Sequence, residues 1–500
     1  MKNCRLFRRL GLVFLWIFVT NSLIANVSLP KIFGDNMVLQ ANKTVTIWGR
    51  AAIGEPVVVT FRNQVKKTVA NTAGQWAVKL SSLQASEKPE TMIVSGFNTI
   101  RVENILVGEV WVCSGQSNME FPLAKSVGWR TGVDNYEQEV AAANYPEIRL
   151  FIVKKYKANE PQTDCDGEWK VCSPENVKDF SAVGYYFGHY LHKQIRKPVG
   201  MIQSAYGGTH AELWTKMDVM ANNPLYDEVL NSYEVDVKKY NAYQQALKLW
   251  NEKTSNGKNI SANTPAPISV TQPSKPACLW NGMIQPIIPF TIKGVIWYQG
   301  ESNDSRALQY KQVFANMIAS WRKEWQQGDF PFYFVQIAAH KDKTPQLRDS
   351  QTQVWQSVKN TGMVVAVDVG DSTNIHPRNK VTVGERLAFW ALANDYGFSD
   401  VAFSGPLYKS MKTVGASILL SFNYTDGGLA AKDGNLREFM IAGPDKVFYP
   451  AMAIIRQNKV VVSSPQVRKP LYVRYAWENF MHPNLYNGKG LPAVPFRTDN

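Results

Sequence analysis

Six short apolar runs, at 105–113, 147–153, 198–204, 292–298, 331–338 and 362–368, are separated by longer stretches of the chain. A run that is apolar throughout has no face for water, so it belongs inside a sheet covered on both sides. Connections long enough to hold a helix make such strands parallel. Phe180–Ile195, Arg306–Trp325 and Asn379–Asn394 carry apolar residues at helical spacing. The pattern predicts an α/β domain over 105–398, interrupted by an excursion at about 216–278. That excursion is a helical stretch from Tyr226 to Trp250 and a Ser/Thr/Asn/Pro-rich segment from Thr254 to Pro276.

The flanking regions have a different period. Residues 26–104 hold short alternating runs such as Thr44–Trp48 and Pro56–Phe61, punctuated by Gly54, Asn71 and Gly74, which reads as an N-terminal β-sandwich. Runs at Ala416–Phe422 and Lys459–Val462 place a small C-terminal β domain and tail in 399–500. Residues 1–25 read as an export signal: Lys2, Arg5, Arg8 and Arg9 precede an apolar core from Leu10 to Thr20, with cleavage expected after Ala25. The apolar core is short for a bilayer span, so the mature protein is expected to be periplasmic or extracellular and free of the membrane. Cys4 lies ahead of that core, where it does not serve as a lipid-anchored cysteine.

Export permits a disulfide, and Cys165 and Cys172 are spaced for a stapled hairpin; paired and unpaired readings both stand. Cys113 and Cys278 read as packed thiols, and no cysteine or histidine spacing suits zinc. The net charge of +14 is spread along the chain, with four of the cations in the signal. No basic run is interleaved with aromatics, which argues against nucleic acid as a partner.

Parallel strands all end on one sheet edge, where residues distant in sequence meet. Four polar motifs follow apolar runs: Gly115-Gln116-Ser117-Asn118-Met119, Gly207-Gly208-Thr209, Gln299-Gly300-Glu301-Ser302-Asn303 and Ile375-His376-Pro377. Ser117 at a helix start has an exposed hydroxyl and an unpaired N–H, yet a helix N-cap serine looks the same. Gly208 offers an N–H to a carbonyl oxygen, or is a tight turn. Gln299 and Asn303 offer amide donors, or are ordinary turn formers. Glu301 reads as an acceptor holding that loop.

A serine nucleophile needs a base near neutrality, and the chain has six histidines. His189 and His192 read as helix-surface residues, His210 and His340 as cleft neighbours, and His482 as a reserve base. His376 is best placed, after a strand and a polar turn and before a helix opened by Pro377.

Taken together, the four motifs make the chain resemble the SGNH hydrolase superfamily, most closely its sialate O-acetylesterase family. Phe180-Ser-Ala-Val-Gly-Tyr-Tyr-Phe187 and Gly490-Leu-Pro-Ala-Val-Pro-Phe-Arg497 add to the likeness. The resemblance implies a flavodoxin-like three-layer α/β/α domain with β domains attached. It implies removal of O-acetyl groups from sialic acids without a cofactor or metal. On that reading Ser117 is the nucleophile and His376 the base. The Ser117 N–H, Gly208 and either Gln299 or Asn303 form the oxyanion hole. From the residues themselves, Gln116, Glu301 and Arg378 are candidate substrate contacts, and Arg130, Arg348 and Arg378 are candidates for reading a sugar carboxylate.

Many members of that family have an aspartate immediately before Ile-His-Pro, where this chain has Asn374. The orienter of the imidazole is therefore open between Asp371, Asn374 and a backbone carbonyl. Two other functions fit the same residues: an acetylesterase for another acetylated carbohydrate such as xylan, and a noncatalytic glycan binder using the 15 Trp and 21 Tyr for stacking.

Overall fold

The computed structural model describes residues 26–255 and 265–499. The expected export signal and the middle of the Thr254–Pro276 segment lie outside them. The central sheet is formed by β1 (Thr99–Gly115), β2 (Tyr145–Ile152), β3 (Trp169–Cys172), β4 (Val199–Ala205), β5 (Gly294–Tyr298), β6 (Phe332–Val335) and β7 (Thr361–Val364). In space the order is β7-β6-β5-β1-β4-β2-β3. All neighbours are parallel except β2 and β3, which are antiparallel.

The central strands are buried on both faces, and their side chains alternate between two cores. Val110, Val112, Val295, Trp297, Phe332 and Phe334 face one; Trp111, Cys113, Ile296, Tyr298, Tyr333 and Val335 face the other. The helices around the sheet include α1 (Ser117–Glu120), α2 (Ala182–Ile195), α3 (Asp227–Ser255), α4 (Ala307–Trp325), α5 (Pro345–Ser357) and α6 (Val381–Asp395). α4 and α5 cover the first face through Tyr310, Phe314, Trp321, Leu347 and Val354. α2 and α6 cover the second through Val183, Phe187, Leu191, Val383 and Leu387. Each fully buried side chain of this size contributes roughly 1.5–3 kcal/mol, which locks the sheet register on which the site depends.

α5 was not foreseen from spacing. Its inward face buries Arg348, Ser350, Gln351 and Thr352 beside Leu347 and Val354, so few of its buried positions are apolar. Arg348 hydrogen-bonds the Glu478 and Asn479 carbonyls of the C-terminal region, and burial lowers its pKa to about 10.

The boundary expected at residue 104 falls inside β1, a single strand of 17 residues. The first part of β1 pairs antiparallel with Ser86–Ser95, which continues to Pro56–Phe61 and Gln64–Val69. Val45–Arg50 and Gln75–Leu80 form a separate antiparallel pair. After residue 406 the chain forms small antiparallel sheets, one of them built on Leu407–Val414, Ser417–Asn423, Met452–Arg456 and Lys459–Ser463. Cys165 and Cys172 carry separate buried thiols, so the disulfide alternative does not hold. Among the described residues no helix is long and apolar enough to cross a membrane.

Candidate active site

β1 carries the first polar motif to the C-terminal edge. Gly115 lies in register between Ala205 and Tyr298. Its φ is +139°, and a Cβ there would stand 2.1 Å from the Tyr298 carbonyl oxygen, so only glycine fits. Gln116 donates its backbone N–H to that oxygen at 3.0 Å. Its side-chain oxygen accepts from the N–H groups of Gly300 and Ser302 at 3.3 and 3.2 Å, tying the third motif to the first. Ser117 then opens α1, where an N–H has no intrahelical partner.

The fourth motif arrives from beyond β7. His376 Nε2 lies 2.8 Å from Ser117 Oγ across a separation of 259 residues. The imidazole stacks on Trp129, with centroids 4.5 Å apart and planes at 29°. Burial, and secondarily the charge of Lys380, lower its pKa from the usual 6.5 to about 4; Glu120 acts weakly the other way.

The second motif closes on the serine from the other side. A Cβ on Gly207 would lie 3.3 Å from both Ser117 Cβ and Glu120 Oε2, so its missing side chain permits the approach. The Gly207 N–H donates to Glu120 Oε2 at 2.6 Å. Gly208 adopts φ +71°, with open space where a Cβ would stand. Among the described residues neither the Ser117 nor the Gly208 N–H has a protein acceptor.

The Asp371 carboxylate accepts from the Thr373 N–H, the Thr373 hydroxyl and the Asn374 N–H, at 2.8, 2.9 and 3.0 Å. These bonds hold its pKa below the ordinary aspartate value. Asn374 Oδ1 accepts the backbone N–H of His376 at 2.9 Å. Neither side chain is bonded to the imidazole, and among the described residues Nδ1 has no hydrogen-bond partner.

The expected amide donors also point elsewhere. Gln299 Nε2 donates to the Thr209 carbonyl and to Asn303 Oδ1, at 3.1 and 2.7 Å. Asn303 Nδ2 donates to Glu212 Oε2 at 2.9 Å. Both are buried, and neither lines the cleft, so their amides hold the motifs together.

The cleft over Ser117 has a volume of about 750 Å³. Gln116, Glu301, Trp129, Tyr206, His210 and Lys343 are among the residues around it. Arg130 and Lys155 also reach it, both paired with the buried carboxylate of Glu120, Lys155 at 2.6 Å. Arg378 instead donates to the Gly132 and Val133 carbonyls at 3.1 and 2.9 Å. It and Arg348 hold structure outside the cleft, so Arg130 alone of the three arginines faces it.

His482 lines a different cavity, beside Arg437 and Lys432. His340 accepts the Asp342 N–H at Nδ1, and His189 stacks between Tyr145 and Tyr185. Sequence reasoning passed over Trp129, Glu120 and Lys380. Glu120 directly follows Met119 of the first motif and Lys380 stands four residues after His376, so adjacency to the motifs was the signal available. Trp129 sits in an irregular loop with no period to reveal it.

The chain matches the carbohydrate esterase family described as sialic acid-specific acetylesterase, over residues 107–259 and 279–393. It is 31% identical to the sialate O-acetylesterase of Mus musculus, covering 78% of this chain and 77% of the mouse protein. With the sialate O-acetylesterase of Homo sapiens it shares 29% identity, covering 92% and 90% of the two chains. A solved carbohydrate acetylesterase from Xanthomonas citri superposes with a TM-score of 0.80 at 33% identity, covering 95% of this chain and 100% of that one. A chain with this central parallel sheet and these relatives is a carboxylic ester hydrolase. It belongs to the sialic acid-specific acetylesterase family of carbohydrate esterases.

Proposed function

We propose that the protein is an exported serine esterase that removes O-acetyl groups from sialic acids, with Ser117 as nucleophile and His376 as base. The observation that carries this reading is the 2.8 Å contact between His376 Nε2 and Ser117 Oγ at the floor of an open cleft. Ser117 Oγ attacks the acetyl carbonyl while Nε2 takes its proton. The oxyanion is met by the N–H groups of Ser117 and Gly208. Collapse expels the sugar oxygen, which leaves with the proton from His376. Water, deprotonated by the same imidazole, then releases acetate from acetyl-Ser117. Gln116 and Glu301, both at the cleft wall, contact the sugar. Residues 1–25 direct export, and the β modules of 26–104 and 399–500 flank the hydrolase unit of 105–398.

An anionic sugar is supported by the cations Arg130, Lys155 and Lys343 around the cleft. A neutral acetylated carbohydrate is favoured by a different observation: Arg130 and Lys155 are already paired with Glu120, and Trp129 and Tyr206 supply aromatic faces. Acetate release from acetylated sialosides and acetyl-xylan, compared by kcat/KM, decides between them. Faster turnover of sialosides is expected, and rapid xylan deacetylation with inert sialosides would overturn the substrate.

The base works only when neutral, so its depressed pKa has a signed consequence. As pH falls through 6.5, kcat/KM for a neutral acetyl ester is expected to hold, and to fall near pH 4, where His376 becomes protonated. A pH profile with its acid limb at 6.5 would show that the imidazole is not shielded in this way.

A further inference from the structure

Among the described residues the His376 ring has no acidic hydrogen-bond partner, yet the peptide unit leading into it is gripped at both ends. Its N–H donates to Asn374 Oδ1 at 2.9 Å, and its carbonyl, that of Ile375, accepts from Asn118 Nδ2 at 3.0 Å. Asn118 is itself buried and fixed in orientation. Its Oδ1 accepts from the ammonium of Lys380 at 2.6 Å, and its Nδ2 also donates to Glu301 Oε1 at 2.5 Å. An amide between a cation and a carboxylate has one satisfactory orientation, with oxygen to the ammonium and NH2 to the carboxylate.

Lys380 is 1% exposed, and its ammonium lies 4.8 Å over the Phe121 ring and 5.4 Å from that of Tyr298. A lysine this deep is costly unless its charge has partners. Its pKa falls to about 7, chiefly through burial, with Glu301 opposing. Burial raises that of Glu301.

We propose that Lys380, Asn118 and Glu301 form a buried brace that orients His376 through its backbone, doing the positioning that a triad carboxylate does through Nδ1. Lys380 and Asn118 are thus positioning residues for the reaction, and the inference rests on the Ser117–His376 reading. The groups whose charge bears on the imidazole are Lys380, Glu120 and His340; those bearing on the brace are Glu301 and Lys343. Trp129 completes the restraint by holding the ring plane.

The test is Lys380→Met, which keeps an apolar stem of similar length and removes the charge. With Asn118 released, kcat on an acetyl ester is expected to fall about 10²-fold, as for a small misplacement of a reacting group, while KM changes less than about twofold. Removing a positive charge near His376 also raises its pKa, so the acid limb of kcat/KM moves to higher pH. The loss of charge alone moves that limb without lowering kcat, so the fall in kcat at nearly constant KM is what reports the brace.

A folded Lys380→Met enzyme with wild-type kcat overturns the brace, whether or not the limb moves. Should Lys380→Met fail to melt cooperatively, Asn118→Asp decides. It is isosteric and lacks the NH2, so the same fall in kcat supports the brace and unchanged kcat overturns it. Ser117→Ala run alongside separates the two ideas: acetate release by that variant removes the serine reading itself, whereas an inactive Ser117→Ala with wild-type-like brace variants removes only the brace.

Discussion

Ser117→Ala and His376→Ala are each expected to lower kcat by about 10⁴- to 10⁶-fold, with folding and KM little changed, because the two side chains act as one unit. Removing the hydroxyl leaves no atom to carry the acetyl group; removing the imidazole leaves a serine with no base at 2.8 Å. The double variant is expected to be no slower than the worse single one. Single-turnover acetate release from a chromogenic ester measures this. The contrast with the turn before His376 sharpens the expectation. In a Ser-His-Asp triad, neutralising the aspartate costs about 10⁴-fold. Here the Asp371 carboxylate serves Thr373 and Asn374, so Asp371→Ala is expected to cost less than about tenfold. A 10⁴-fold loss would mean that Asp371 reaches Nδ1 during turnover.

Gly115→Ala is the second large effect, and it acts on stability first. The added Cβ meets the Tyr298 carbonyl at 2.1 Å, and the φ of +139° is one that alanine rarely adopts. Overpacking and backbone strain each cost about 1–3 kcal/mol. A combined loss of about 3–5 kcal/mol is expected, read as a lower urea midpoint at unchanged m. Relief requires β1 and β5 to part where Gln116 bonds Tyr298, which displaces Ser117 from His376, so activity falls as well. An unaltered midpoint with full activity would show that the strands tolerate the separation. Gly208→Ala is a useful comparison: its φ is also positive, but no atom lies within 4 Å of the added carbon, so it carries strain without the clash.

Much of the fold is legible along the chain. Continuous apolar runs such as Val110–Cys113 and Val295–Tyr298 announce strands buried on both faces, and the mixed α/β architecture with a central parallel sheet follows from them. What escaped was wherever burial is polar. α5 hides behind Arg348, Gln351 and Thr352, and the continuity of β1 through residue 104 hides behind the exposed, polar start of that strand. Buried polar side chains and a half-exposed strand start both carry the composition of a surface segment.

The four motifs were visible as residue types after strands, but their division of labour was not. Gln299 and Asn303 carry amides suited to an oxyanion hole, and only the positions of Thr209 and Glu212 reveal where their hydrogens go. Trp129 had no motif to mark it, and Lys380 only its closeness in sequence to His376.

The local pattern by itself determined that this chain forms a covered parallel sheet with serine, glycine, amide and histidine motifs beyond its strands. Apolar periodicity and turn chemistry are properties of neighbouring residues. Tertiary structure alone decided which hydroxyl meets which imidazole, which donors stay free, and that His376 is held by a stacked indole and a clamped peptide instead of a carboxylate. Hydrogen bonds and ring contacts form between groups hundreds of residues apart, and their partners exist only once the strands are in register.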